Sequence, residues 1–210
     1  MRVRIAASAA GAAVLAGGLV SAASAEASYE HLYLSVDKHI LRGSRDHIEG
    51  HIKPKSRDRV VWVYAAGPGI DGWRKVAKPK TDRHGRYKAS WKPPEVGRYS
   101  IQALLTGSDA PPRRTSVTVY KVTYASWYGP GFYGSRTACG QTLSRGTLGV
   151  AHKTLPCGTR VALYHDGHAV TVPVIDRGPY VAGREYDLTE ATKERLHFGS
   201  TGSLWAAPIG

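Results

Sequence analysis

Ala125-Ser126-Trp127-Tyr128-Gly129-Pro130-Gly131-Phe132-Tyr133-Gly134 opens the part of the 210-residue chain that decides its reading. Four further stretches follow in order: Thr137-Ala138-Cys139-Gly140-Gln141, then Ala151-His152-Lys153-Thr154-Leu155-Pro156-Cys157-Gly158-Thr159, then Val174-Ile175-Asp176-Arg177-Gly178-Pro179, then Gly183-Arg184-Glu185-Tyr186-Asp187-Leu188-Thr189. Aromatics, glycines, one histidine and two aspartates recur in short polar loops between β-rich runs. That alternation describes a groove for a polar, ring-shaped ligand.

The flanking runs are strands. Thr159–Tyr164 and His168–Ile175 alternate, and Asp166-Gly167 between them is a hairpin signal. Gly149-Val150-Ala151 reads as another strand, and Thr189–Leu196 as one short helix. Upstream, β-like runs recur over 29–121: Leu32–Val36, Val60–Tyr64, Gly72–Val76, Gly85–Trp91, Gly97–Ala103 and Ser116–Tyr120. Gly67-Pro68-Gly69, Asp82–Gly85 and Pro93–Gly97 punctuate them. This spacing predicts a β-sandwich. Gly97-Arg98-Tyr99 ahead of a strand resembles the late-strand turn of bacterial immunoglobulin-like domains. Trp73 and Trp91 are assigned to its core. The segment Lys121–Tyr124 is too short for a free linker.

The other end of the chain predicts export. Met1-Arg2-Val3-Arg4 is basic, Ile5–Val20 is apolar and small, and Ala23-Ser24-Ala25 offers a cleavage site. Residues 1–25 are therefore read as a signal peptide. No cysteine lies at the cut to carry a lipid, so the expected mature protein has no membrane anchor. The formal charge of +13 becomes +11 on losing Arg2 and Arg4. Such a charge favours polyanionic partners. Aromatic-basic RNA motifs and phosphate-cradling loops are absent, so nucleic acid is set aside in favour of an anionic wall polymer. In an exported chain, two cysteines most simply make one disulfide, Cys139–Cys157. Neither they nor the histidines have metal-ligand spacing, and no cofactor is implied.

Taken in order, Ala125–Gly129, Thr137-Ala138-x-Gly140, Ala151–Thr159 around His152, Asp176–Pro179 and Asp187-Leu188 resemble the rare lipoprotein A (RlpA-like) domain from about Tyr124 to Gly202, within a domain taken as 124–208. The resemblance implies a six-stranded double-psi β-barrel, shared with expansins and family 45 endoglucanases. The whole chain is then all-β: an immunoglobulin-like sandwich, followed by that barrel with one short helix. The resemblance also implies action on peptidoglycan as a lytic transglycosylase, with non-catalytic, expansin-like wall loosening as the alternative. Lytic cleavage needs a group that protonates the glycosidic oxygen and then takes a proton from the C6 hydroxyl. Asp176, at the end of an apolar strand, and Asp187, in an aromatic-Asp-Leu motif, are the candidate acids, with His152 beside them. Asp187 also fits a helix cap, with Glu190 three residues on. Tyr128, Thr137, Gln141, Arg177 and Tyr180 are the candidate substrate contacts. Gln141 stands where many family members carry glutamate, and glutamine cannot transfer a catalytic proton.

Overall fold

A computed structural model describes residues 30–209. The expected signal peptide lies outside these described residues. Fourteen strands and one helix follow in order: β1 His31–Leu32, β2 Ser35–Val36, β3 His39–Leu41, β4 Asp46–Lys53, β5 Val61–Gly67, β6 Ile70–Ala77, β7 Arg86–Trp91, β8 Gly97–Leu105, β9 Arg113–Tyr128, β10 Val150–Ala151, β11 Arg160–His165, β12 His168–Asp176, β13 Tyr186–Thr189, α1 Glu190–Arg195 and β14 Thr201–Pro208.

The N-terminal strands form two packed sheets. In one, β4 pairs with β1 and β2 along one edge and with β7 along the other. In the second the order is β3-β9-β8-β5-β6, with β3 parallel to β9. The inward residues alternate, as period two requires: Tyr99, Ile101, Ala103 and Leu105 from β8, and Val61, Val63 and Ala65 from β5. Tyr99 makes a tyrosine corner. Its hydroxyl sits 2.9 Å from Glu95 O and 2.8 Å from Pro68 O, and it accepts Glu95 N–H at 3.0 Å. Trp91 packs edge-on against Tyr99 at 5.2 Å, a core tryptophan as expected. Trp73 is not in the core. It is 45% exposed on β6, with the Arg114 guanidinium 5.7 Å from its ring, because β6 is an edge strand whose residues 71–75 all face solvent.

The C-terminal strands close on themselves. Following the pairs gives β13-β10-β12-β11-β14-β9 and back to β13, a six-stranded barrel with parallel pairs at β10–β12 and β9–β13. Closure removes every free edge. Ala125, Val150, Val161, Leu163, Val172, Val174, Tyr186, Leu188 and Leu204 fill it. The Asp166-Gly167 turn joins β11 to β12 as its sequence predicts. Helix α1 is capped by Thr189, whose side chain accepts Thr192 N–H. Asp187 is therefore not the cap. It sits two residues earlier on β13, where its backbone is committed to the sheet.

Strand β9 belongs to both halves. It pairs with β8 through Val119 and with β14 from Lys121 onward. Only Tyr120 separates the two partnerships. Around it Leu41, Val96, Ala162, Tyr164, Trp205, Ala207 and Ile209 make a third apolar cluster. His39 Nδ1 lies 2.8 Å from the Tyr120 hydroxyl, and its ring stacks on Tyr164 at 4.8 Å. A continuous strand and an aromatic joint replace a linker.

Candidate active site on the barrel

The two acids meet on one row of the barrel wall. Ala151 of β10 is in register with Asp176 of β12 on one side and with Asp187 of β13 on the other. Asp187 is in turn in register with Ser126 of β9. Residues opposite one another across a sheet point to the same face. Ser126, Asp187, Ala151 and Asp176 therefore form a row across four strands, directed away from the core that Val150, Leu188 and Ala125 line. The two aspartates are two strand spacings apart, about 10 Å between Cα atoms, with only an alanine between. A bulge builds this. Val150 pairs with Val174 and Ala151 with Asp176, so Ile175 is the extra residue that turns Asp176 onto the row.

The acids differ in what holds them. Asp176 Oδ1 accepts main-chain N–H groups from Ala138, at 2.9 Å, and Arg177, at 2.8 Å. It pins the 137–141 turn to the end of β12. Asp187 Oδ1 instead accepts the Ser126 hydroxyl, and Arg184 Nη1 donates to that hydroxyl oxygen at 3.1 Å. Gly178 brings the following turn over Asp187. It has φ +126°, and a Cβ there would lie 3.9 Å from Asp187 Oδ2. Tyr128, two residues beyond Ser126, faces the same row. Its hydroxyl oxygen is buried and has no partner of regular hydrogen-bond geometry. Burial, and then the charges of Asp176 and Asp187, push its ionisation far above the ordinary phenol range. Tyr128 thus stays protonated.

The remaining sequence candidates separate into distinct places. Thr137 is buried and holds its own turn. Its hydroxyl accepts Gln141 N–H at 3.2 Å, and its N–H donates to Gln141 O at 2.7 Å. The Gln141 side chain is exposed on that turn. Arg177 does not reach outward for a ligand. Nη1 donates to the carbonyls of His152, at 3.2 Å, and Leu155, at 3.0 Å, because alternation along β12 turns it away from Asp176 toward the 152–157 loop. Tyr180 is 83% exposed just past the Gly178 turn, and Phe132 is 57% exposed on the loop after β9. Trp127 packs against the core with Lys193 over its ring.

His152 follows Ala151 but its ring bonds elsewhere. Nδ1 accepts N–H groups from Thr154, at 3.1 Å, and Leu155, at 3.0 Å. Two donors on Nδ1 assign the proton to Nε2. Nε2 faces Glu185 Oε1 at 3.7 Å, and the ring lies against Tyr186. Burial pulls its basicity down, against the opposing pull of Glu185, so the ring is neutral. Glu185 itself is held by Lys121 at 2.6 Å and by the Thr123 hydroxyl at 2.7 Å. The sequence reading passed over Glu185, Ser126 and this histidine–glutamate pair. Glu185 is two residues from Asp187, and that spacing alone places both on the outward side of β13.

Cys139 and Cys157 form the expected disulfide, with Cα atoms 5.7 Å apart. It ties the Asp176-bound turn to the His152 loop. Replacing both by serine is expected to lower stability by about 3 kcal/mol. Thermal unfolding with and without reductant measures this, and reductant should leave the double variant unchanged. Among the described residues no three His, Cys, Asp or Glu side chains are placed to hold a metal ion.

The C-terminal half is thus a closed six-stranded barrel with an aspartate pair on its outer wall. A family model described as "Lytic transglycolase" matches residues 120–204. The chain is 45% identical over 80 residues to the probable endolytic peptidoglycan transglycosylase RlpA of Synechocystis, covering 37% of this chain and 25% of that one. It is 42% identical over 87 residues to RlpA of Campylobacter jejuni, covering 40% and 30%. It is 36% identical over 130 residues to RlpA of Rickettsia felis, covering 59% and 54%. Over its C-terminal half the chain is similar to the RlpA-like family. It spans between a quarter and about half the length of these relatives.

Proposed function

We propose that the barrel cleaves peptidoglycan glycan strands by endolytic transglycosylation outside the cytoplasm, with Asp187 as the proton-transfer group. The observation that carries this is the register row Ser126–Asp187–Ala151–Asp176. Asp187 contacts a hydroxyl that can rotate, which suits a carboxyl that gives and then regains a proton. In its acid form it donates that proton to the glycosidic oxygen as the C1–O bond breaks. As a carboxylate it takes the C6 hydroxyl proton while the C6 oxygen closes on C1, giving a 1,6-anhydro ring and no net consumption of water. Asp176 is held by two N–H groups as a fixed negative charge, suited to a positive transition state at C1. The Tyr128 hydroxyl, protonated and without a partner of regular hydrogen-bond geometry, faces the same row. Tyr180 and Phe132 offer flat apolar faces to sugar rings. Gln141 carries no proton in this scheme. The sandwich, parsed as 29–121 with the barrel at 124–208, is read as immunoglobulin-like on its strand order and tyrosine corner.

The test is mass spectrometry of soluble products after incubation with purified wall, with and without removal of stem peptides. Anhydromuramyl ends support the reading. Retention on the wall with no new ends overturns it in favour of loosening without cleavage.

A further inference from the structure

A basic, concave face of the molecule lies away from the acid row. It is at the end of the sandwich farthest from the barrel. The barrel joins beside Leu41 and Tyr120, which are in register. Strand β4 begins nearby at Asp46 and runs away for eight residues, about 24 Å, to His51 and Lys53. There a hollow is lined by His51, Ile52, Lys53, Lys55, His84 and Arg86. It continues into a second beside Arg57 and Arg83.

The walls of this groove are fixed by main chain. Ile52 N–H donates to Gly85 O at 2.9 Å, and Gly85 N–H to Asp82 O at 2.9 Å. Gly85, at φ +71°, seats the turn so closely that a Cβ would come within 3.1 Å of Ile52 O and Lys55 Cα. The acids present are already engaged. Asp82 accepts His84 N–H at 2.7 Å and Arg86 N–H at 2.9 Å, and Arg86 Nε lies 3.3 Å from its Oδ2. Asp58 pairs with Arg57 at 3.4 Å. Among the described residues, Lys53, Lys55 and Arg83 have no carboxylate within ion-pair distance. A fixed groove with uncompensated cations along its length matches a linear chain of regularly spaced anions. One face of the adjoining Tyr33 ring is already stacked on His51 at 4.1 Å.

We propose that this groove docks a wall glycopolymer carrying phosphodiester charges. Docking there holds the barrel a fixed distance along the wall, because β9 crosses the joint unbroken. The binding is independent of the barrel's chemistry, so either can fail alone.

The test measures binding of the full chain to a poly(glycerol phosphate) polymer and to duplex DNA of matched charge. The charge-reversed variant Lys53→Glu/Lys55→Glu/Arg83→Glu is compared with Lys38→Glu/Lys92→Glu/Arg195→Glu, which changes net charge equally on other exposed sites. Reversal in the groove is expected to weaken polymer binding by about tenfold or more, and the control by about twofold, with similar thermal midpoints. Asp187→Asn should bind the polymer as the wild type does. Equal losses in the two triple variants, no binding by the wild type, or tighter binding to DNA would overturn the proposal. On the wild type, the polymer should also shield Lys53 and Lys55 from amine acetylation more than Lys38 and Lys92. Equal labelling would overturn it without relying on any variant.

Discussion

Changing Asp187 to asparagine is expected to lower release of anhydromuramyl product by about 10²- to 10⁴-fold, the usual worth of a positioned proton-transfer group. Asparagine keeps the shape of the side chain and its place on β13 beside Ser126. What it loses is the ability to hand over a proton. Asp176→Asn should cost less, about tenfold, because an amide oxygen still accepts the N–H groups of Ala138 and Arg177 and only the charge is lost. Thermal midpoints separate loss of chemistry from loss of fold. The ranking is the sharp part. Full product release by the Asp187 variant, with none from the Asp176 variant, would exchange the two roles. Full release by both would remove the row from the mechanism. The histidine–glutamate pair gives a third comparison, since Glu185→Gln leaves the row intact and alters the contacts of His152, Lys121 and Thr123.

Much of this site was legible from residue order, because strand alternation is a strict rule. Ala125 and Trp127 inward, Ser126 and Tyr128 outward, follows from period two alone. So does the placement of Asp176 at the end of β12. What alternation cannot give is which strands become neighbours. The parallel pairs β10–β12 and β9–β13 join segments far apart in the chain, and the row exists only through them. His152 is grouped with the acids by the family resemblance, whereas its ring is fixed by its own loop and by Glu185. In the sandwich, β4 escaped notice because Asp46, His47, Glu49, Gly50 and His51 are poor strand formers. Yet Asp46, Ile48 and Ile52 point inward at even spacing, and β4 is the only strand that β1, β2 and β7 pair with in the first sheet. Trp73 is expected in the core, but its position on an edge strand decides its exposure.

Asp46 itself carries the second large expectation. It is fully buried, its Oδ1 accepts Asp37 N–H at 3.2 Å, and its Oδ2 has no partner. Burial raises its ionisation from the ordinary 3.8 to about 7; the Asp37 N–H opposes this, the Asp37 charge adds to it and His47 opposes it. The folded chain therefore holds a proton that the unfolded chain has released between those values. Stability from this group is fully present below the unfolded value, declines as pH rises through the window from 3.8 to about 7, and is flat above it. Asparagine keeps the acceptor for Asp37 N–H and removes the charge. Asp46→Asn should thus match the wild type in acid and exceed it above neutrality, by up to about 4 kcal/mol. Denaturant midpoints of both proteins at about pH 4 and about pH 8 read the difference, and other titrating groups cancel in the comparison. Parallel stability curves would show that Asp46 ionises freely in the fold. A gain confined to alkaline pH would show that the first sheet is built around a carboxyl that stays protonated.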